Sequence, residues 1–329
     1  MPILPFSQNL VYIVLALLLS RAFVTILYFA YTVHVVPAIR QVAFLSLERA
    51  RSLAWFGGWI TLSGLISPNM IYLDRFVVGT VVTLSSFTYY TTSFELVARL
   101  SVIADSVTRV FYPAMSVCAE SNRERMYLLF ERALKFLVCV FLSGLFLVVV
   151  FARELLGVWL GSDFAQVGGP IMQILMVGTV FNCLARVPFY LLHSISQSRW
   201  VGISHLIQFC IALPAFFYFS AHYGIRGAAW VSTVRMFADF LILSVFVLRG
   251  APQYWFTFLR LLALMAFVAT LAIAIEVEVV SLHIKIIICL AAVLLGYFFA
   301  WRKFLSPADR VELFETFQLG FISRLRGKA

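Results

Sequence analysis

The chain is poor in charge: Asp, Glu, Lys and Arg make up only 12% of its 329 residues, about half the roughly 25% of ordinary globular domains. It lacks the motifs of most covalent chemistry as well. No P-loop, H-E-x-x-H, G-x-S-x-G or Rossmann glycine pattern occurs, and no polar stretch is long enough for a nucleotide-binding domain, which excludes an intrinsic ATPase. Cys118, Cys139, Cys183, Cys210 and Cys289 form no C-x-x-C and have no His at ligand spacing, so they are read as packing residues. His34, His193, His205, His222 and His283 are dispersed and are read as helix-end or packing residues. No metal and no cofactor is expected. No basic residue precedes the first apolar run and no small-residue cleavage site follows it, so no signal peptide is expected.

What is present is apolar. Hydrophobic residues account for 63% of the chain, Phe alone for 33 residues, and the mean hydropathy is +0.98. A water-soluble fold of this size could not bury so much apolar surface, so lipid must cover the rest. The 25 Lys and Arg outnumber the 15 Asp and Glu. In a bilayer that excess belongs to cytoplasmic loops and anionic headgroups, not to nucleic acid. Runs of spanning length are expected at 9–36, 53–79, 82–116, 130–152, 168–195, 199–221, 224–249, 256–277 and 280–301. The fold class is therefore an all-α, polytopic membrane bundle of about nine helices. Nothing alternates as barrel strands do.

The loops orient this bundle. With 37–52 on the cytoplasmic side, the cytoplasmic segments hold fifteen basic residues, among them Arg40, Arg49, Arg123, Lys135, Arg260 and Arg302, while the opposite loops hold only Arg153, Arg226 and Lys285. That bias predicts an outside N-terminus and a cytoplasmic C-terminus. Residues 37–52 set Ile39, Val42, Ala43 and Leu47 against Arg40, Glu48, Arg49 and Arg51, the pattern of an interfacial helix. The tail opens Ser306-Pro307-Ala308-Asp309 and repeats Val311, Phe314, Phe317, Phe321, Ile322 and Leu325, which predicts a membrane-surface helix with a basic tip.

Ionisable residues at membrane depth carry the functional signal. Each costs roughly 2.5–3.5 kcal/mol at a helix centre on insertion scales, so each should face a partner or water. The stretch 82–116 holds Glu95, Arg99, Asp105 and Arg109. At about 100° per residue they share one sector of about 120°. Glu95 and Arg99, like Asp105 and Arg109, stand i,i+4 with the acid first, the favourable order. A polar stripe turned toward a hydrated cavity is expected, against the alternative of two neutral pairs that only pack helices. Arg21, Asp74, Arg75, Arg186, Arg235 and Asp239 join the candidate cavity residues. Arg outnumbers acid at these depths, which suits an anionic cargo because guanidinium forks grip phosphate at two points. Pro68, Pro188 and Pro214 lie inside spans and are candidate hinges.

Four motifs, in order, resemble the multidrug/oligosaccharidyl-lipid/polysaccharide (MOP) exporter superfamily on its polysaccharide-transporter branch. They are Tyr72-Leu73-Asp74-Arg75-Phe76-Val77-Val78-Gly79, Phe111-Tyr112-Pro113-Ala114-Met115-Ser116, Leu156-Gly157-Val158-Trp159-Leu160-Gly161 and Tyr223-Gly224-Ile225-Arg226-Gly227-Ala228-Ala229-Trp230. The resemblance implies a flippase for O-antigen or another undecaprenyl-diphosphate-linked oligosaccharide in the bacterial inner membrane, working by alternating access without catalysis. Membrane lipid and other polysaccharide-assembly proteins are the further partners it implies. By motif, only Asp74 and Arg75 carry over as lobe-defining polar residues. Residues 1–52 are expected to be the last helix of an incomplete N-terminal lobe with its linker. Residues 53–249 would then be a six-helix C-terminal lobe, and 250–329 two added helices and the amphipathic tail. The alternatives are a non-transporting remnant or assembly component, and a membrane-embedded enzyme of envelope assembly. The outside loops are too short for the large catalytic loop such enzymes use.

Overall fold

The structure, a computed structural model, describes residues 10–35, 47–277 and 285. The expected span at 280–301 (Lys285 apart), the surface helix of the tail, and residues 37–46 of the expected interfacial helix lie outside the described residues. Among the described residues there is no strand. The elements are α1 (Leu10–Val35), α2 (Leu47–Val81), α3 (Leu84–Ala98), α4 (Ser101–Ser121), α5 (Arg123–Leu160), α6 (Ser162–Ser194), α7 (Ser198–Arg249), a short 3₁₀ turn (Pro252–Tyr254) and α8 (Trp255–Val277). Only helices close their backbone hydrogen bonds within one segment, which is why so apolar a chain takes this form.

Five stretches of the described residues are long and apolar enough to cross a membrane: Val14–Val35, Arg123–Leu160, Ser162–Ser194, Ser198–Arg249 and Pro252–Thr270. This is a multi-pass membrane bundle. The chain divides into two compact units, Met1–Trp55 and Phe56–Ala329. In the first, α1 is apolar on all sides and its large side chains, from Val11 to Val35, are exposed, as suits a helix whose surface faces lipid.

In the second unit α6 is central, packed against α3, α4, α5 and α7. Its contacts follow the membrane rule of small residues and interhelical polar bonds. A Cβ at Gly178 would lie 2.8 Å from the Cα of Thr233, so α6 and α7 approach closely there. One turn away, Thr233 Oγ1 donates to the Ile174 carbonyl at 2.8 Å. Gln173 Nε2 donates to the Val149 carbonyl of α5 at 2.8 Å, and Ser93 Oγ of α3 to the Gly168 carbonyl at 3.1 Å.

Two backbone breaks shape the site. At Gly224 the backbone takes φ 59° and ψ −146°, a region that only glycine enters without strain. The 52 residues of α7 therefore fold back as two antiparallel helices. Trp200 stacks on Phe246, and Gln208 bonds to Asp239, in pairs nearly equidistant from Gly224. This is the division between the expected spans 199–221 and 224–249. The second break separates α3 from α4, where 82–116 reads from sequence as one helix. Leu100, Val102 and Ile103 each donate three residues back, to Val97, Arg99 and Leu100, the tight turn of a 3₁₀ segment. The break lets α3 lie on α6 and α7 while α4 lies on α5 and α6.

Candidate functional site

The polar residues of the second unit gather at two linked places. The first is built on Asp74, which is 2% exposed on α2. A buried acid must be bonded on all sides, and three donors converge on this one. Tyr90 of α3 donates its hydroxyl to Oδ2 at 2.7 Å, Ser232 of α7 reaches the same oxygen at 3.3 Å, and the backbone N–H of Arg75 meets Oδ1 at 2.7 Å. Tyr90 and Ser232 lie 3.0 Å apart and complete the triangle. Asp74 thus ties three helices together at one point.

Beside it, Arg75 turns the other way. Its guanidinium pairs with Glu95 at 2.7 Å and lies over the rings of Phe94 and Tyr72, at 4.8 and 5.3 Å from their centroids. Glu95 reaches Arg99 as well, at 3.8 Å, but Arg99 is 81% exposed. Such a pair contributes little to stability, about 0–1 kcal/mol.

The second place is a cavity of about 200 Å³ between α6 and α7, with Met70 of α2 at its wall. From α6 come Asn182, Arg186, Phe189 and Tyr190, and from α7 His205, Arg235 and Asp239. Asp239 accepts from Gln208 Nε2 at 2.8 Å and stands 3.4 Å from His205 Nε2, both contacts falling on Oδ1. Arg186 is ion-paired to Asp105 of α4, which bridges α4 to α6. Arg235 lies within electrostatic reach of both Asp74 and Asp239 and so links the two places. Its Nε is buried without a hydrogen-bond partner among the described residues. Aromatic rings back the cavity: Phe189 stacks on His205, and Tyr190 meets Tyr112 of α4 at 5.1 Å between centroids.

Asp74 and Tyr90 of the triangle lie in a stretch that matches a known family, whereas the cavity residues of α6 and α7 lie beyond it. Residues 9–168 match the profile of a family described as "Polysaccharide biosynthesis protein". The chain is also 27% identical over 249 residues to the Shigella flexneri protein named "Putative O-antigen transporter". The chain is thus similar in sequence to proteins of polysaccharide biosynthesis and transport. The alignment covers 76% of this chain and 59% of the Shigella protein, so the chain spans less than two thirds of that relative's length. No solved structure matches it. Three of the four motifs, those at 72–79, 111–116 and 156–161, fall inside the family match.

The sequence-selected residues separate. Asp74, Arg186, Arg235 and Asp239 meet around the cavity and its neighbouring triangle, with Asp105 held through Arg186. Arg75, Glu95 and Arg99 form a chain of charges toward the exposed side of α3. Arg109 is exposed on α4, one turn beyond Asp105, which turns to Arg186 instead of to its own i+4 neighbour. Arg21 belongs to the first unit, exposed on α1. Tyr90, Ser232, Asn182, His205 and Gln208 were not selected from the sequence. For His205 and Gln208 a signal existed: with Ser204 they put polar groups at helical spacing into an otherwise apolar span. For Tyr90 and Ser232 there was none, because their partner lies 16 and 158 residues away. Among the described residues no group of three or more His, Cys, Asp or Glu is placed to hold a metal ion.

Proposed function

We propose that the protein carries an anionic lipid-linked oligosaccharide across the bacterial inner membrane for O-antigen or other surface polysaccharide biosynthesis. The cargo would be an undecaprenyl-diphosphate-linked oligosaccharide moved by alternating access, with no covalent chemistry. The observation that carries this reading is the half-open polar cavity lined by Arg186, Arg235 and Asp239 inside an apolar helical bundle. Charge at that depth is costly and marks a cargo or ion pathway. The transporter name of the Shigella relative supports the same reading and a carrier in place of an enzyme.

In this proposal the lobe is 53–249, preceded by the helix and linker of 1–52 and followed by the added helices and tail of 250–329. The exposed guanidinium groups of Arg99 and Arg109 hold the diphosphate, whereas Arg186 and Arg235 are already engaged by Asp105, Asp74 and Asp239. The sugars enter the wet cavity and the lipid tail stays outside the helices. The excess of basic residues on one set of loops supports an outside N-terminus and a cytoplasmic C-terminus. Membrane lipid and other polysaccharide-assembly proteins are the partners of this reading.

Arg99→Glu tests it. The side chain is exposed and its ion pair with Glu95 is long, so the variant should insert at the wild-type level. In cells dependent on this protein for surface polysaccharide, export should fall below a tenth. Undiminished export would refute the role of Arg99. Water-soluble thiol reagents should also reach single cysteines placed at 95, 99, 105 and 109.

A further inference from the structure

The cavity between α6 and α7 differs in charge from what a diphosphate requires. Two guanidinium groups, Arg186 and Arg235, face it. Arg186 is neutralised by Asp105. Arg235 shares its charge between two buried acids, Asp74 and Asp239. Both cations are thus already engaged by carboxyl groups, and a polyanion entering here would have to displace those contacts. The cavity has instead what an uncharged polyol requires. Donors and acceptors line it: the Asn182 amide, the Arg235 guanidinium, and the Asp239 carboxyl, which Gln208 and His205 contact at Oδ1. Phe189 and Tyr190 supply an apolar aromatic wall on the same helix. A sugar ring has this same double character, a C–H face that packs on aromatic surface and a rim of hydroxyls that must be hydrogen-bonded when buried.

Size fixes the number of rings. The cavity of about 200 Å³ would hold about six or seven waters at roughly 30 Å³ each. It falls below the roughly 300–1,000 Å³ of sites that enclose drug-sized ligands. One ring fills a space of that size, and a second would lie outside it on the cavity's open side. We propose that this cavity is a subsite for a single uncharged sugar ring of the cargo, walled by Phe189 and Tyr190 and hydrogen-bonded by Asn182, Arg235 and Asp239. The inference rests on the transport reading above and adds to it where cargo selectivity resides. The diphosphate is held elsewhere.

The test uses the full chain in lipid nanodiscs and saturation-transfer NMR with methyl glycosides of glucose, galactose, mannose, rhamnose and N-acetylglucosamine. At least one should bind, and pyrophosphate should not displace it. Methyl glucuronide, which differs from methyl glucoside by a carboxylate, should bind at least tenfold more weakly than the best neutral glycoside. Asp239→Asn and Tyr190→Leu should each weaken binding at least tenfold, whereas Tyr190→Phe should keep it. If Asp239→Asn fails to fold for want of its Gln208 contact, the Tyr190 pair of variants decides alone. The proposal is overturned if no neutral glycoside binds, if pyrophosphate competes, or if both Tyr190 variants bind like wild type. Transport by a chain that binds no sugar here would sink the subsite and spare the carrier reading. Sugar binding here in a chain that moves no cargo would do the reverse.

Discussion

The Asp74 triangle makes the sharpest energetic claim, and a double-mutant cycle with Tyr90 measures it. Tyr90 and Asp74 are 0% and 2% exposed, and the hydroxyl meets the carboxyl at 2.7 Å. Interhelical hydrogen bonds in membranes average only about 0.6 kcal/mol and reach about 1.7, because the unfolded chain in lipid also finds partners. Bonds to charged groups in proteins contribute more, about 1.5–3 kcal/mol. An acid sealed from solvent and met by three donors belongs to the upper end of the membrane range. Tyr90→Phe should therefore cost about 1.5 kcal/mol. Asp74→Asn keeps the shape but must turn its new NH₂ toward the Arg75 N–H or toward Tyr90 and Ser232. It should cost about 2 kcal/mol. Since both changes remove the same contact, the double variant should fall short of the sum by about 1 kcal/mol. Equilibrium unfolding in mixed micelles with rising SDS fraction reads all four corners. Costs that add to within about 0.3 kcal/mol would show that the contact is not a coupled one, and the reasoning about this triangle would fail.

Two further changes probe the packing around the cavity. Gly178→Ala puts a methyl group 2.8 Å from the Thr233 Cα, and backbone cannot yield cheaply, so a loss of about 1–3 kcal/mol is expected. An unchanged midpoint of unfolding would contradict the close approach of α6 and α7. Arg186→Asp should lose transport and cost about 3 kcal/mol of stability, because it sets a second carboxylate against Asp105 in a largely buried site. Combining it with Asp105→Arg should restore transport if the bridge between α4 and α6 is what matters, as an export assay would show.

Much of the architecture was legible in residues alone, for a physical reason. Lipid permits few structures, and run length with charge placement nearly suffices to name the class. Even the reversal at Gly224 was legible as a gap between spans. The stretch 82–116 was not. Its residues keep a helical period through Arg99 and Leu100, and the 3₁₀ turn there involves neither Pro nor Gly. Periodicity could therefore align Glu95, Arg99, Asp105 and Arg109 on one stripe but could not show that the stripe divides. Glu95 pairs with Arg75, Asp105 pairs with Arg186, and Arg109 is exposed.

The sequence by itself determined that this chain lives in lipid as bundled helices, because solvation cost is set locally, residue by residue. Which charges meet was decided only by tertiary structure. Asp74 finds Tyr90 and Ser232, and Asp239 finds Gln208, through helix crossings that no spacing encodes. Those pairings set each arginine of the cavity against an acid.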